Sequence, residues 1–301
     1  MPNRSPSSST SLAAGEPLYV VEPREPHSHT CTLILLHGLG SNGNKFGTEL
    51  LETGVTSSGQ TLTELLPGAR FVFPTSKRRR STAFGRSMLT QWFDIVRLAD
   101  PSYLKERQLD GLAESAREIR EIMAAELKRV QPQNLIIGGL SQGCAMSLAV
   151  LLSLEHSIGG YIGMSGYLTY QEDLESVIDD EVDSDDPFAR PSGSQDTAVE
   201  SNAVKAQALE RDLLDLDPLE CASLEKTAHQ TPVLLGHGKA DEKVPYALGE
   251  GAAQVLQNAG YQVEWKCYDD QGHWFKIPDE IDDICNFIAS KVGWEVVKPT
   301  T

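Results

Sequence analysis

Long apolar runs are missing from this 301-residue chain. None approaches the roughly 18 to 20 residues that a membrane-spanning helix requires, so no such helix is expected. Cysteine is scarce and scattered: Cys31, Cys144, Cys221, Cys267 and Cys285 form no C-x-x-C pair, and no histidine joins them at metal-ligand spacing. An odd, dispersed set of thiols argues against a disulfide framework and against a metal centre, and fits reduced cysteines in the cytoplasm. Positive charge is short as well, with 26 Lys and Arg against 43 Asp and Glu and a formal net charge of −17. Nucleic acid and anionic bilayers would be repelled, so neither is expected as a general partner. Residues 1–17 are polar and Ser-rich, lack the apolar core of a signal peptide, and read as a flexible tail. No stable membrane anchor is expected, at most transient contact with a membrane surface.

What the chain does contain is a rhythm. Apolar runs of strand length occur at Leu18–Val21, Thr32–Leu36, Arg70–Phe73, Leu135–Gly138, Gly160–Met164, Val233–Gly236 and Val263–Tyr268. Between two of them, Leu112, Ala116, Ile119, Met123 and Leu127 recur at helical spacing and mark one buried face, a packing stripe. Further helices are expected at Pro245–Asn258 and Asp279–Lys291. Strands alternating with helices predict an α/β fold with a mostly parallel central sheet and helices on both faces. A single domain over residues 18–295 is expected, followed by a short tail at 296–301. The rhythm breaks between Gln171 and Gln230, where seventeen acids face four bases. That stretch reads as an acidic, flexible insertion, loosest over Asp179–Thr197, with a short amphipathic helix around Ala203–Leu214. Its charge is opposite to that of the basic run Lys77-Arg78-Arg79-Arg80, which reads as a solvated charge run, as a dock for the acidic insertion over the site, or as a contact for an anionic substrate.

Chemistry enters at Asn134–Ala149. A short apolar strand runs into Gly139-Leu140-Ser141-Gln142-Gly143, a G-x-S-x-G turn, and then into an apolar helix. A serine hydroxyl is a weak nucleophile at its free pKa and needs a base and an exposed perch, which a sharp strand-to-helix turn supplies. Ser141 is the candidate nucleophile. A base and an acid should follow at strand ends, where open α/β sheets gather their functional groups. Asp241 lies past Val233–Gly236 in His237-Gly238-Lys239-Ala240-Asp241, and His273 lies past Val263–Tyr268 in Asp269-Asp270-Gln271-Gly272-His273. The order Ser141, Asp241, His273 suits an α/β-hydrolase. Asp269, Asp270 and Glu242 remain weaker alternatives for the acid, and His237 reads as a structural, hydrogen-bonded histidine. Leu33–Leu36 leads into His37-Gly38-Leu39-Gly40, a turn able to present the Leu39 amide to an oxyanion, with the Gln142 amide as second donor.

These motifs, together with Gln91-Trp92-Phe93-Asp94, resemble the acyl-protein thioesterase branch of the phospholipase/carboxylesterase family of α/β-hydrolases. The resemblance runs from about Thr32 to Ser290 apart from the insertion. It implies a cytosolic serine hydrolase that cleaves thioesters of S-acylated proteins, lysophospholipids or small carboxylic esters. It also implies Ser141, Asp241 and His273 as catalytic residues, with Leu39 and Gln142 at the oxyanion. No metal and no organic cofactor is required. Cys144 stands where the family usually has a further glycine and is expected to pack behind the nucleophile. Trp92, Trp274 and Phe275 are candidates for the substrate pocket. Alternatives of function are a carboxylesterase for a small metabolite or polyketide-like ester and, from another class, a non-catalytic binding module on the same fold.

Overall fold

The computed structural model describes residues 18–179 and 201–297. The tail expected at 1–17, residues 298–301 of the tail expected at 296–301, and residues 180–197 of the loose stretch expected over Asp179–Thr197 lie outside those residues. In chain order the elements begin with β1 (Tyr19–Val21), β2 (Cys31–Leu36), α1 (Gly43–Thr53), α2 (Leu62–Leu65) and β3 (Ala69–Phe73). A hairpin of β4 (Arg78–Ser81) and β5 (Ser87–Thr90) follows, then α3 (Leu109–Glu126), β6 (Leu135–Leu140), α4 (Gln142–Leu152) and β7 (Gly160–Met164). The chain continues with α5 (Gln171–Asp179), α6 (Asn202–Leu213), β8 (Val233–Gly238), α7 (Tyr246–Asn258), β9 (Val263–Tyr268) and α8 (Asp279–Phe287).

Seven strands form one sheet in the order β1-β3-β2-β6-β7-β8-β9, parallel throughout except for β1 on β3. Successive residues of a strand point to opposite faces. Ile34 and Leu36 of β2 therefore join Leu112, Ile119, Leu148 and Leu256 on one face, while Leu33 and Leu35 meet Phe46, Leu50, Ile281 and Phe287 on the other. Helices α3, α4, α6 and α7 cover the first face and α1, α2 and α8 the second. The strand order reverses around β2, with β3 on one side and β6 on the other. Loops leaving β2 and β6 consequently diverge and open a crevice at their carboxyl ends, where ligands of such sheets bind.

All seven strands read from the sequence are present, within two residues at each end. Helix α1 was not anticipated: its two glycines weaken the helical signal, yet Gly47 is required because a Cβ there would stand 2.6 Å from the Phe73 ring. The helix expected to Lys291 stops at Phe287 and continues as one wide turn over Ile288–Val292. Within the acidic region, α5 and α6 pack on each other and against the body of the fold, burying Leu174, Ile178, Ala206 and Leu214. The helix expected at Ala203–Leu214 corresponds to α6.

Two cations at the basic run have partners on a helix of the core. Lys77 Nζ lies 2.6 Å from Glu114 and also pairs with Glu118, and Arg79 pairs with Glu114. Both acids belong to α3, so among the described residues Lys77 and Arg79 tie the hairpin to a helix of the core. These two cations hold the Glu114 carboxyl at about 2.

Candidate active site

Ser141 caps α4 with φ 57° and ψ −121°, a left-handed conformation that a serine adopts only under constraint. Its amide donates to Met164 O at 2.9 Å, which pins the turn to β7. Room for the turn comes from two glycines. A Cβ on Gly143 would stand 2.2 Å from Leu36 O, and one on Gly139 would stand 2.7 Å from the Gly143 carbonyl carbon. The first helical bond of α4 is donated by Ala145 to Ser141 O, so the amides of Gln142, Gly143 and Cys144 have no acceptor inside the helix.

Ser141 Oγ is 2.9 Å from His273 Nε2, and His273 Nδ1 is 2.8 Å from Asp241 Oδ2. The carboxylate accepts at Nδ1, which fixes the tautomer with Nδ1 protonated and Nε2 free to accept from the serine. The Asp241 side chain is wholly buried, and its Oδ1 accepts from the amides of Lys243 at 2.8 Å and Val244 at 2.9 Å. Burial opposes its charge, but the bonds from His237, His273 and the Val244 amide together hold its carboxyl well below the usual carboxylate range. The rival Asp269 turns outward to Lys239 at 2.5 Å. Of the candidate acids, Asp241 is the one bonded to His273.

The turn after β2 is built with equal care. Burial pushes the His37 imidazole down to about 4, so the ring is neutral. Its Nδ1–H donates to Gly38 O at 2.7 Å, and its Nε2 accepts from the Ser76 amide at 3.0 Å. Trp92 Nε1–H donates to His37 O at 2.8 Å. The Gln142 side chain bridges the loop that follows β5, accepting from Trp92 N at 3.0 Å and donating to Phe93 O at 2.8 Å. Imidazole, indole and carboxamide therefore lock Leu39 and Gln142 to one scaffold.

A cavity of about 620 Å³ opens beside Ser141, walled by Leu39, Phe84, Leu98, Leu140, Val244 and Trp274, with Lys45, Glu49 and Lys243 at its edge. That volume falls within the roughly 300 to 1,000 Å³ of small-molecule sites. Trp274 lines it as expected. Trp92 and Phe275 do not: each is 1 % exposed and packed into the core, Trp92 because its N–H is needed under the His37 turn. Phe84 and Leu98 were not anticipated, since each comes from a loop with no motif. Cys144 fills the space above two glycines, its Sγ 2.6 Å and 2.2 Å from where Cβ atoms on Gly163 and Gly166 would lie. Burial pushes its thiol up to about 12, so it is an inert packing group.

The sheet order, the strained serine turn and the Ser141–His273–Asp241 alignment define an α/β-hydrolase. The sequence model of the phospholipase/carboxylesterase family matches residues 16–213, and the chain belongs to that family. A prolyl oligopeptidase family model matches residues 200–294, the part carrying Asp241 and His273. Curated relatives include acyl-protein thioesterase 1 of Yarrowia lipolytica, 30% identical over 270 residues, covering 88% of this chain and 93% of the relative. Acyl-protein thioesterase 1 of Saccharomyces cerevisiae is 29% identical over 269 residues, covering 87% and 93%. Among solved structures, Zea mays acyl-protein thioesterase 2 superposes with a TM-score of 0.61 at 25% identity, over 92% of this chain and 99% of that one. Esterase PE8 reaches the same TM-score at 20% identity over 92% and 98%, a likeness of fold alone.

Proposed function

We propose that this chain is a serine hydrolase that cleaves carboxylic esters or thioesters through an acyl-enzyme, with the thioesters of S-acylated proteins as its principal substrates and lysophospholipids as a second class. The observation that carries the reading is the continuous alignment of Ser141, His273 and Asp241 beside an apolar cavity. His273 Nε2 takes the Ser141 proton as Oγ attacks the carbonyl carbon, and the amides of Leu39 and Gln142 receive the oxyanion. Asp241 holds the imidazole in register and balances its positive charge. The C–S or C–O bond then breaks, and the leaving thiol or alcohol departs with the proton from Nε2. Water enters, gives a proton to Nε2 as its oxygen attacks the acyl carbon, and Ser141 leaves with that proton restored.

The cavity walls suit an aliphatic acyl chain, since they offer apolar carbon and hold their charged groups at the edge. Among the described residues no helix is long and apolar enough to cross a membrane. All five cysteines are free, which supports a reducing compartment and the cytoplasm as the proposed location.

The test is labelling by a fluorophosphonate probe together with hydrolysis of acyl-thioesters, lysophospholipids and short p-nitrophenyl esters. Ser141→Ala should abolish labelling and lower turnover by about six orders of magnitude. Substantial hydrolysis by the purified Ser141→Ala protein would overturn the assignment, and a preference confined to short esters would overturn the substrate class.

A further inference from the structure

Four nitrogens lie within 3.2 Å of the two Asp241 oxygens, and three of them are His273 Nδ1 and the amides of Lys243 and Val244. The fourth is His237, whose Nε2 lies 3.2 Å from Asp241 Oδ2 and 3.0 Å from Val244 O. Both neighbours are acceptors, so Nε2 carries the hydrogen, donating it to Val244 O and holding it beside Asp241 Oδ2. The ring is wholly buried, and its Nδ1 has no hydrogen-bond partner. An orphaned buried nitrogen is a cost that a residue of packing alone would not impose.

The surroundings are shaped around this ring. A Cβ on Gly249 of α7 would stand 2.3 Å from Nδ1, so the helix carries glycine where it crosses the imidazole. The Tyr246 ring of α7 stands edge-on at 6.2 Å, with its phenol donating to Glu250, and the Trp265 ring of β9 lies at 6.3 Å. Cys267 is its neighbour in strand register. Of the ionisable groups on these elements, Asp241 is the one that meets Nε2.

We propose that His237 is a positioning residue for the hydrolytic reaction, holding the same Asp241 oxygen that orients His273. The proposal rests on the assignment of Ser141, His273 and Asp241 made above. Nε2–H keeps Oδ2 from rotating away from His273 and offsets part of the carboxylate charge. Without it, Asp241 stabilises the His273 imidazolium more strongly, and that imidazolium must lose its proton before it can act as a base.

Three variants separate this role from packing. The amide nitrogen of glutamine stands as many bonds from Cα as Nε2 does, whereas that of asparagine falls one short. His237→Phe and His237→Asn should lower kcat about 10- to 100-fold at unchanged KM, the worth of one hydrogen bond to a charged group. In both, the acid limb of the kcat/KM profile should move to higher pH by about one unit. His237→Gln should restore both quantities to within a few-fold of the parent. Equal behaviour of the Gln and Asn variants, or a Phe variant with the parent's melting temperature, kcat and pH profile, would overturn the proposal. If His237→Phe folds poorly, the Gln and Asn pair decides. A Ser141→Ala protein with the parent's rate would instead remove the underlying assignment, and this proposal with it.

Discussion

Gln142 serves the site twice, once through its backbone and once through its side chain. Its amide heads α4 beside Ser141, and its carboxamide fastens that helix end to Trp92 and Phe93. Truncation to alanine would orphan a buried N–H and a buried C=O, at about 1–3 kcal/mol for each group. Gln142→Ala should therefore lose stability by about that amount in urea unfolding and lower kcat by about 10-fold or more as the amide loses its support. An unchanged kcat would show that the amide is held by the helix alone. The G-x-S-x-G pattern announced Ser141 and the position of this amide. The side-chain clamp was not legible, because its partners lie some fifty residues earlier in the chain and no local pattern couples them. Cys144 shows the same limit. Its substitution for a glycine was visible, but the compensation by Gly166, where a Cβ would stand 2.2 Å from Sγ and 2.4 Å from the Cys144 Cβ, is not. Gly166→Ala should destabilise the parent by about 1–3 kcal/mol through overpacking and much less in a Cys144→Gly background. Additive effects in that cycle would remove the pairing.

At the scale of elements, the strands were legible because each is a short apolar run closed by a turn, and the sheet's central members are buried on both faces. The β4–β5 hairpin was not, since Arg78-Arg79-Arg80 carries no apolar alternation and the pairing stands apart from the main sheet. Its attachment to α3 depends on the contacts of Lys77 and Arg79 with Glu114 and Glu118. These groups are partly exposed, and pairs of that kind are worth about 0 to 1 kcal/mol each. The loop between β4 and β5 nevertheless supplies Phe84 to the cavity wall. Glu114→Gln should thus leave the melting temperature within a few degrees of the parent while raising KM several-fold for long-chain acyl substrates and leaving short-chain esters unaffected. Equal KM changes across a chain-length series would show that the hairpin does not shape the acyl wall.

The whole molecule carries its excess of acid unevenly, and one consequence is a stability that depends on pH. The seventeen acids between Gln171 and Gln230 predicted a solvated segment, yet Glu210 of α6 is fully buried and neither of its oxygens has a hydrogen-bond partner. Composition could not reveal this, because a helix places residues on inner and outer faces alike and only packing decides which acid turns inward. Tyr170 and Tyr261 lie near enough to repel its charge only if they ionise, so burial dominates and pushes the Glu210 carboxyl up to about 8. In the unfolded chain it would ionise near 4.5. Between those two pH values the folded state holds a proton that the unfolded state has released, and stability must fall as pH rises. Each pH unit across the window is worth up to about 1.4 kcal/mol, so the loss by pH 8 is on the order of 4 kcal/mol. Glu280, buried against Gly236 with its carboxyl also raised to about 8, adds a slope of the same sign. Glu210→Gln has no proton to exchange. Its unfolding free energy in urea should match the parent near pH 5 and exceed it progressively toward pH 8, leaving the shallower slope contributed by Glu280. Parallel curves for parent and variant over that range would mean that Glu210 is solvated and that α6 is not seated on the core through this face.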